Sequence, residues 1–201
     1  VISTVLFDLD GVIRHFDVDD VADIERRHGL ALGVLEGSAF SQPLLTEVTT
    51  GRITRDEWVR RIGERVRSTE AAEEWSSRLP TVDAEMLDLA DELRALGLRV
   101  AVLTNGTDTI ASEVAESGID GHYDAIFNSA DIGFVKPDVR AFEHVLHALD
   151  CDGPQVFFAD DSESKLSGAR TLGLTTHLFT GIRTLRADLA RAGVAVDPAR
   201  I

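Results

Sequence analysis

The sequence predicts an α/β fold: a parallel sheet in a three-layer arrangement, with a helical segment inserted after the first strand. Three observations predict it. Short β-branched and apolar runs recur along the chain. Beyond residue 82 they alternate with helical patterns of roughly 10–14 residues, the signature of right-handed βαβ units. Residues 14–81, by contrast, read as helical throughout.

Taken in order, Val1 to Phe7 is an apolar run ending in Asp8-Leu9-Asp10-Gly11, a buried strand feeding a tight turn. Asp19 to His28 forms an amphipathic helix that Gly29 can stop. Thr54 with Glu57 makes a capping-box pattern opening Arg55 to Arg67, and a helix over Thr69 to Arg78 follows. Asp83 to Leu96 is a helix closed by Gly97, and Leu98 to Thr104 a strand. Asp108 to Ser117 is helix and Ala125 to Asn128 a short strand. Asp138 to Leu149 is helix, with Lys136-Pro137-Asp138 reading as a start that places Pro at the first helical position. Gln155 to Ala159 is strand, Ser164 to Leu172 helix, Thr175 to Phe179 strand and Thr184 to Ala192 helix. The expected division is a core of residues 1–13 and 82–201 and a helical insertion of residues 14–81.

The composition narrows the function classes. A chain of 201 residues, 44% hydrophobic, can bury a core and is not a disordered segment. Runs such as Val100-Ala101-Val102-Leu103 are far short of the ~18 apolar residues of a membrane span. The first residues carry no basic segment of signal-peptide type, and a single cysteine, Cys151, cannot form an internal disulfide. The expectation is a cytoplasmic protein, monomeric or homodimeric. A net charge of −15 argues against nucleic-acid binding, and it requires any anionic ligand to be met by local positive charge or a metal. Ten Arg against thirteen acidic residues leave residues 14–81 close to neutral, so most of the excess lies in the core. Lysine occurs only twice, at Lys136 and Lys165.

In an open parallel sheet, ligands bind beyond the carboxyl ends of the strands. Those ends carry Asp8 and Asp10, then Thr104-Asn105-Gly106, then Asp160-Asp161, with Lys136 in a loop between the last two. Singly, each is an ordinary turn or cap. Together they gather carboxylates, a hydroxyl, glycine-flanked amides and one ammonium on one edge. A compact ammonium can sit between two oxyanions where a planar guanidinium cannot.

These segments, Asp8-Leu9-Asp10-Gly11-Val12, Thr104-Asn105-Gly106, Lys136-Pro137-Asp138 and Asp160-Asp161, stand in the order of the four motifs of the haloacid dehalogenase-like hydrolases, which the chain resembles across its whole core. The insertion, from Ser41-Gln42-Pro43 through Thr54, resembles the small helical cap of the subgroup containing β-phosphoglucomutase, sugar-phosphate phosphatases and the phosphatase domain of soluble epoxide hydrolase. The resemblance implies a Rossmann-like core and phosphoryl transfer with Asp8 as nucleophile. It implies Mg²⁺ held by Asp8, the Asp10 backbone carbonyl and Asp161, with Asp160 behind them. Asp10 would protonate the leaving oxygen and then activate water. Thr104, the amides about Asn105 and Gly106, and Lys136 would hold and neutralise the phosphoryl group. Gly11, Arg14 and Arg52 are further substrate-contact candidates. Asp10 stands where dehalogenases of this resemblance carry an aromatic residue, which favours phosphoryl chemistry.

One position departs from the pattern. Lys165 stands where the last motif usually has Asn or Asp. Either it faces solvent or bridges Glu163, or its ammonium reaches Asp160, Asp161 or the substrate phosphate. His144 and His147, three apart, have no third metal ligand in sight. Cys151 lacks an activating partner. Trp58 and Trp75 pack the insertion or line a pocket, and His15 and Phe16 enter the insertion beside Arg14. The expected function is Mg²⁺-dependent hydrolysis of a small phosphate monoester such as a sugar phosphate. The alternatives are a phosphomutase and a phosphate- or metabolite-binding protein without turnover.

Overall fold

The computed structural model describes residues 1–200. Five parallel strands form the central sheet: β1 (Thr4–Phe7), β4 (Arg99–Thr104), β5 (Ala125–Asn128), β6 (Val156–Asp160) and β7 (Thr175–Leu178), in the order β5-β4-β1-β6-β7. Their side chains alternate between two cores, as the two-residue period of a strand requires. Val5, Phe7, Val100, Val102, Phe157 and Ala159 face one side, where they meet α6 (Ala84–Ala95), α7 (Ile110–Glu116) and α11 (Ile182–Arg191). Leu6, Ala101, Leu103, Val156 and Phe158 face the other, against α9 (Val139–Ala148) and α10 (Ser167–Thr171). The result is a three-layer, Rossmann-like arrangement. Strand order reverses on either side of β1, so the crevice at the carboxyl ends opens there.

The insertion has its own apolar cluster, built from α1 (Val18–Arg27), α2 (Val34–Ala39), α3 (Leu44–Thr49), α4 (Arg55–Val66) and α5 (Thr69–Ser76) around Leu35, Leu44, Ile62 and the two tryptophans. Contrary to the reading of residues 14–81 as wholly helical, its two ends pair as antiparallel strands, β2 (Arg14–His15) and β3 (Thr81–Val82). Strands of two residues leave no periodic pattern to read. The buried Glu25 side chain accepts the N–H groups of Gly33 and Leu35 at 2.6 and 2.9 Å, capping α2 from a neighbouring helix. Thr54 caps α4 through the Glu57 N–H at 3.2 Å. The reciprocal half of that box is not made, because the Glu57 carboxylate pairs with Arg60 and Arg61.

Two further boundaries differ from expectation. Asp138, not Pro137, opens α9, as the N-cap that accepts the Arg140 N–H at 3.0 Å. The helix expected over Ser164 to Leu172 is instead a 3₁₀ turn, Glu163–Leu166, followed by α10. Serine hydroxyls of this segment bond locally, Ser162 to Ser164 and Ser167 to the Ser164 carbonyl, an alternative to regular helix pairing. Among the described residues no helix is long and apolar enough to cross a membrane.

The insertion lies down on the core. The Ser129 hydroxyl, at the start of α8 (Ser129–Ile132), donates to the Thr49 carbonyl at 2.6 Å. Asp108 accepts the Arg55 N–H at 2.7 Å. Gly51 sits so close to the Ala130 carbonyl that a Cβ would come within 2.3 Å of it.

Candidate active site

Asp8 follows β1 and Asp160 ends β6, adjacent strands whose carboxyl ends place the two carboxylates side by side in the interior. Between them lies Lys136, its side chain fully buried, with Nζ 2.8 Å from Asp8 Oδ1 and 2.7 Å from Asp160 Oδ2. The lysine reaches this position because Asn105 holds its backbone at both ends. The Asn105 side chain donates to the Lys136 carbonyl at 2.9 Å and accepts the Lys136 N–H at 2.8 Å. The amides about Asn105 and Gly106 are the expected phosphate donors; the Asn105 side chain has this separate role. The Gly106 N–H is likewise engaged, by the Ser129 hydroxyl at 3.1 Å. Thr104 is buried at the end of β4 and lines the crevice as expected.

The electrostatics follow from burial and these partners. Burial by itself raises the Asp8 carboxyl. The Lys136 and Lys165 ammonium groups and the Leu9 N–H more than offset that and hold it below the usual carboxylate range. Asp160, with burial dominant and Asp8 adding to it against Lys136, is pushed up to about 6. Burial also raises Asp10, with Arg14 opposing. These partners favour the ionised form of Asp8, the form a nucleophilic carboxylate needs.

Asp8, Asp160 and Asp161 form the one cluster of three acidic groups, among the described residues, whose oxygens approach closely enough for one cation, all within 4.8 Å of one another. Gly11 makes room for it. With φ +85° it adopts a left-handed conformation, and a Cβ there would stand 2.1 Å from Asp161 Oδ2. Hard carboxylate oxygens converging on one point fit a divalent cation such as Mg²⁺. Lys165 also reaches the cluster: its Nζ lies 3.2 Å from Asp8 Oδ2, 3.8 Å from Asp160 Oδ1 and 4.0 Å from Asp161 Oδ1. Of the two sequence readings of this residue, the structure selects the inward one.

A cavity of about 910 Å³ opens above these groups, between core and insertion. Its floor holds Asp8, Asp10, Gly11, Thr104, Lys165 and Asp161, and its roof Phe40, Leu45, Val48, Trp58 and Trp75. The tryptophans both pack the insertion and line the cavity, with ring centroids 5.4 Å apart. Phe16 lies at the rim beneath the guanidinium groups of Arg14 and Arg78, each 5.6 Å from its ring centre. Arg52 is exposed and outside the lining, whereas Arg55 lines the cavity. Arg14 touches the cavity, yet it is 3% exposed and already paired, bonding Asp10 at 2.6 Å and Glu113 at 2.8 Å. Glu113 and Ser129 were not anticipated, since nothing local marks a helix position whose partner lies 99 residues away. His15 is absent from the lining, with Asp83 at 3.8 Å as its partner. His144 and His147 lie exposed on α9, and burial raises the Cys151 thiol despite nearby Arg99.

Comparison with known proteins agrees with this architecture. A family model described as haloacid dehalogenase-like hydrolase matches residues 2–173. The chain belongs to that family of hydrolases. It is 29% identical to the phosphatase MT3486 of Mycobacterium tuberculosis, over 98% of this chain and 93% of that protein. It is 26% identical to bifunctional epoxide hydrolase 2 of Mus musculus over 86% of this chain, but spans only 35% of that longer protein. Its fold is similar to that of a HAD family enzyme from Bacteroides thetaiotaomicron, solved with magnesium and inorganic phosphate, with a TM-score of 0.75 at 24% identity, covering 88% of this chain and 93% of that one.

Proposed function

We propose that this hydrolase is a Mg²⁺-dependent phosphatase acting on a small phosphate monoester through a phosphoryl group carried on Asp8. The observation that carries the reading is the setting of Asp8: a buried carboxylate facing a cavity, flanked by two ammonium groups, with Asp10 two residues further on. A phosphate monoester repels nucleophiles, so a site that attacks it must neutralise its oxygens and align the attack. Lys136 supplies fixed positive charge beside the nucleophile, Lys165 adds a second ammonium at the cavity, and Thr104 offers a hydroxyl at the cavity floor. Mg²⁺ held by Asp8, Asp161 and the Asp10 carbonyl would add charge neutralisation on the phosphoryl oxygens. Asp8 Oδ attacks phosphorus as the ester oxygen leaves. Asp10, kept high by burial, gives that oxygen its proton and then takes one from the water that frees phosphate and restores Asp8. The names of the mycobacterial phosphatase and of the structure solved with magnesium and phosphate support this reading.

The insertion acts as a cap that excludes bulk water. Its roof narrows the substrate class. A sugar phosphate presents hydroxyls, whereas Phe40, Leu45, Val48, Trp58 and Trp75 present aromatic and aliphatic surface. The lining supports an ester whose organic part carries an apolar or aromatic face, with Arg55 and Arg78 meeting polar groups at the edge. Phosphate release from aryl, alkyl and sugar phosphates, with and without Mg²⁺, tests both parts. The reading expects Mg²⁺-dependent release with aryl and longer alkyl esters preferred. No release from any ester by folded protein would contradict it.

A further inference from the structure

We propose that the Lys165 ammonium is a built-in competitor for the cation position: it fills the mouth of the Asp8–Asp160–Asp161 cluster in the metal-free protein, and a divalent cation binds by displacing it. This rests on the metal-binding half of the reading above and is independent of the substrate.

The geometry carries the inference. The three carboxylates whose oxygens lie within 4.8 Å of one another are the three that Lys165 Nζ approaches, at 3.2, 3.8 and 4.0 Å. An ammonium and a small dication demand the same oxygens, and one site cannot give them to both. Charge makes the ammonium necessary when no metal is present. Lys136 serves Asp8 and Asp160 but does not pair with Asp161, so without Lys165 three clustered carboxylates would face a single cation. Two unlike settings separate the lysines. Lys136 is fully buried and its backbone is clamped by Asn105. Lys165 is 29% exposed, stands on the 3₁₀ turn after β6, and its side chain borders the cavity. Its flexible four-carbon stem lets the ammonium leave the carboxylates and enter the cavity, where it meets the phosphoryl oxygens of a bound ester. Asn at this position has no charge with which to compete.

The consequence is weakened Mg²⁺ binding and a cluster that stays compact without metal. The test is calorimetric titration of MgCl₂ into the metal-free protein, for wild type, Lys165→Asn and Lys165→Met, with thermal unfolding of each in the presence and absence of Mg²⁺. Circular dichroism establishes that each variant is folded, and Lys165→Met keeps the stem should Lys165→Asn fold poorly. The expected result is Mg²⁺ binding about tenfold tighter in the variants, the scale on which groups around a metal site tune its affinity. The metal-free variants should melt below wild type and regain stability with Mg²⁺, while the wild-type melting temperature moves less. Equal Mg²⁺ affinity in wild type and both variants overturns the role of Lys165 and leaves the metal site standing. No Mg²⁺ binding by any of the three overturns the metal site and the inference together.

Discussion

The Arg14 guanidinium donates from Nε to Asp10 Oδ1 at 2.6 Å and from Nη1 to Glu113 Oε2 at 2.8 Å, linking the start of the insertion to helix α7 of the core. Arg14 borders the cavity, and two of its donors hold Asp10 and Glu113. That makes it a positioning residue for the proposed proton donor.

Arg14→Gln is expected to lower kcat about 10- to 100-fold with a smaller change in KM, since an acid that loses its orientation fails in the transition state. It should also cost about 1–3 kcal/mol of stability, as two partly buried carboxylates lose their shared donor. Arg14→Lys keeps the charge but not the fork and should rescue stability more than kcat. Steady-state kinetics and urea unfolding of both variants check this; an unchanged kcat in Arg14→Gln contradicts it.

Glu113 makes stability sensitive to acid. Burial pushes its carboxyl up, but the Thr109 hydroxyl and Arg14 more than offset that and hold it below its ordinary 4.5. A depressed folded value means stability that is present above 4.5 and is lost as pH falls through the folded value. In Glu113→Gln this contribution is gone at every pH. Unfolding free energies measured between pH 7 and pH 3 should therefore fall less steeply for the variant than for wild type. Parallel curves would contradict the assignment.

Gly11→Ala should damage the floor of the site. A Cβ would stand 2.1 Å from Asp161 Oδ2 on a backbone held at φ +85°. Asp161 must move, so loss of Mg²⁺ binding should accompany a destabilisation of about 1 kcal/mol or more. Calorimetry and thermal unfolding read the two effects, and retention of wild-type Mg²⁺ affinity would remove Asp161 from the ligand set.

Phe40 tests the roof. It lines the cavity, is 52% exposed, and has its ring centroid 6.2 Å from that of Trp75. Phe40→Ala should reduce kcat/KM about tenfold for an aryl phosphate, the worth of the apolar contact removed, and leave a glycerol phosphate nearly unaffected. Equal losses on both esters would mean the roof does not choose the organic group.

The sheet and the motif residues were legible in the sequence because strand alternation and helix caps are local signals. All five strands of the sheet, and the gathering of Asp8, Thr104, Lys136 and Asp160 at their carboxyl ends, follow from them. What was not legible depends on distant pairing. β2 and β3 are too short to show a period, and Arg14 finds Glu113 only after the chain has folded over 99 positions. Asn105 is legible as a site residue, but that its side chain clamps the Lys136 backbone depends on the loop geometry. Arg52 is a candidate by its place in the insertion loop, whereas the cavity is bordered by Arg55, three residues on at the start of α4.

The central claim is that Asp8 carries the phosphoryl group. Rapid acid quench of wild-type protein turning over an aryl phosphate with Mg²⁺, followed by peptide mass analysis, tests it directly. The account predicts a phosphoryl adduct on the peptide containing Asp8, and loss of both adduct and turnover in Asp8→Asn. Phosphate release that persists in Asp8→Asn, with no adduct on wild-type Asp8 at any quench time, would contradict it.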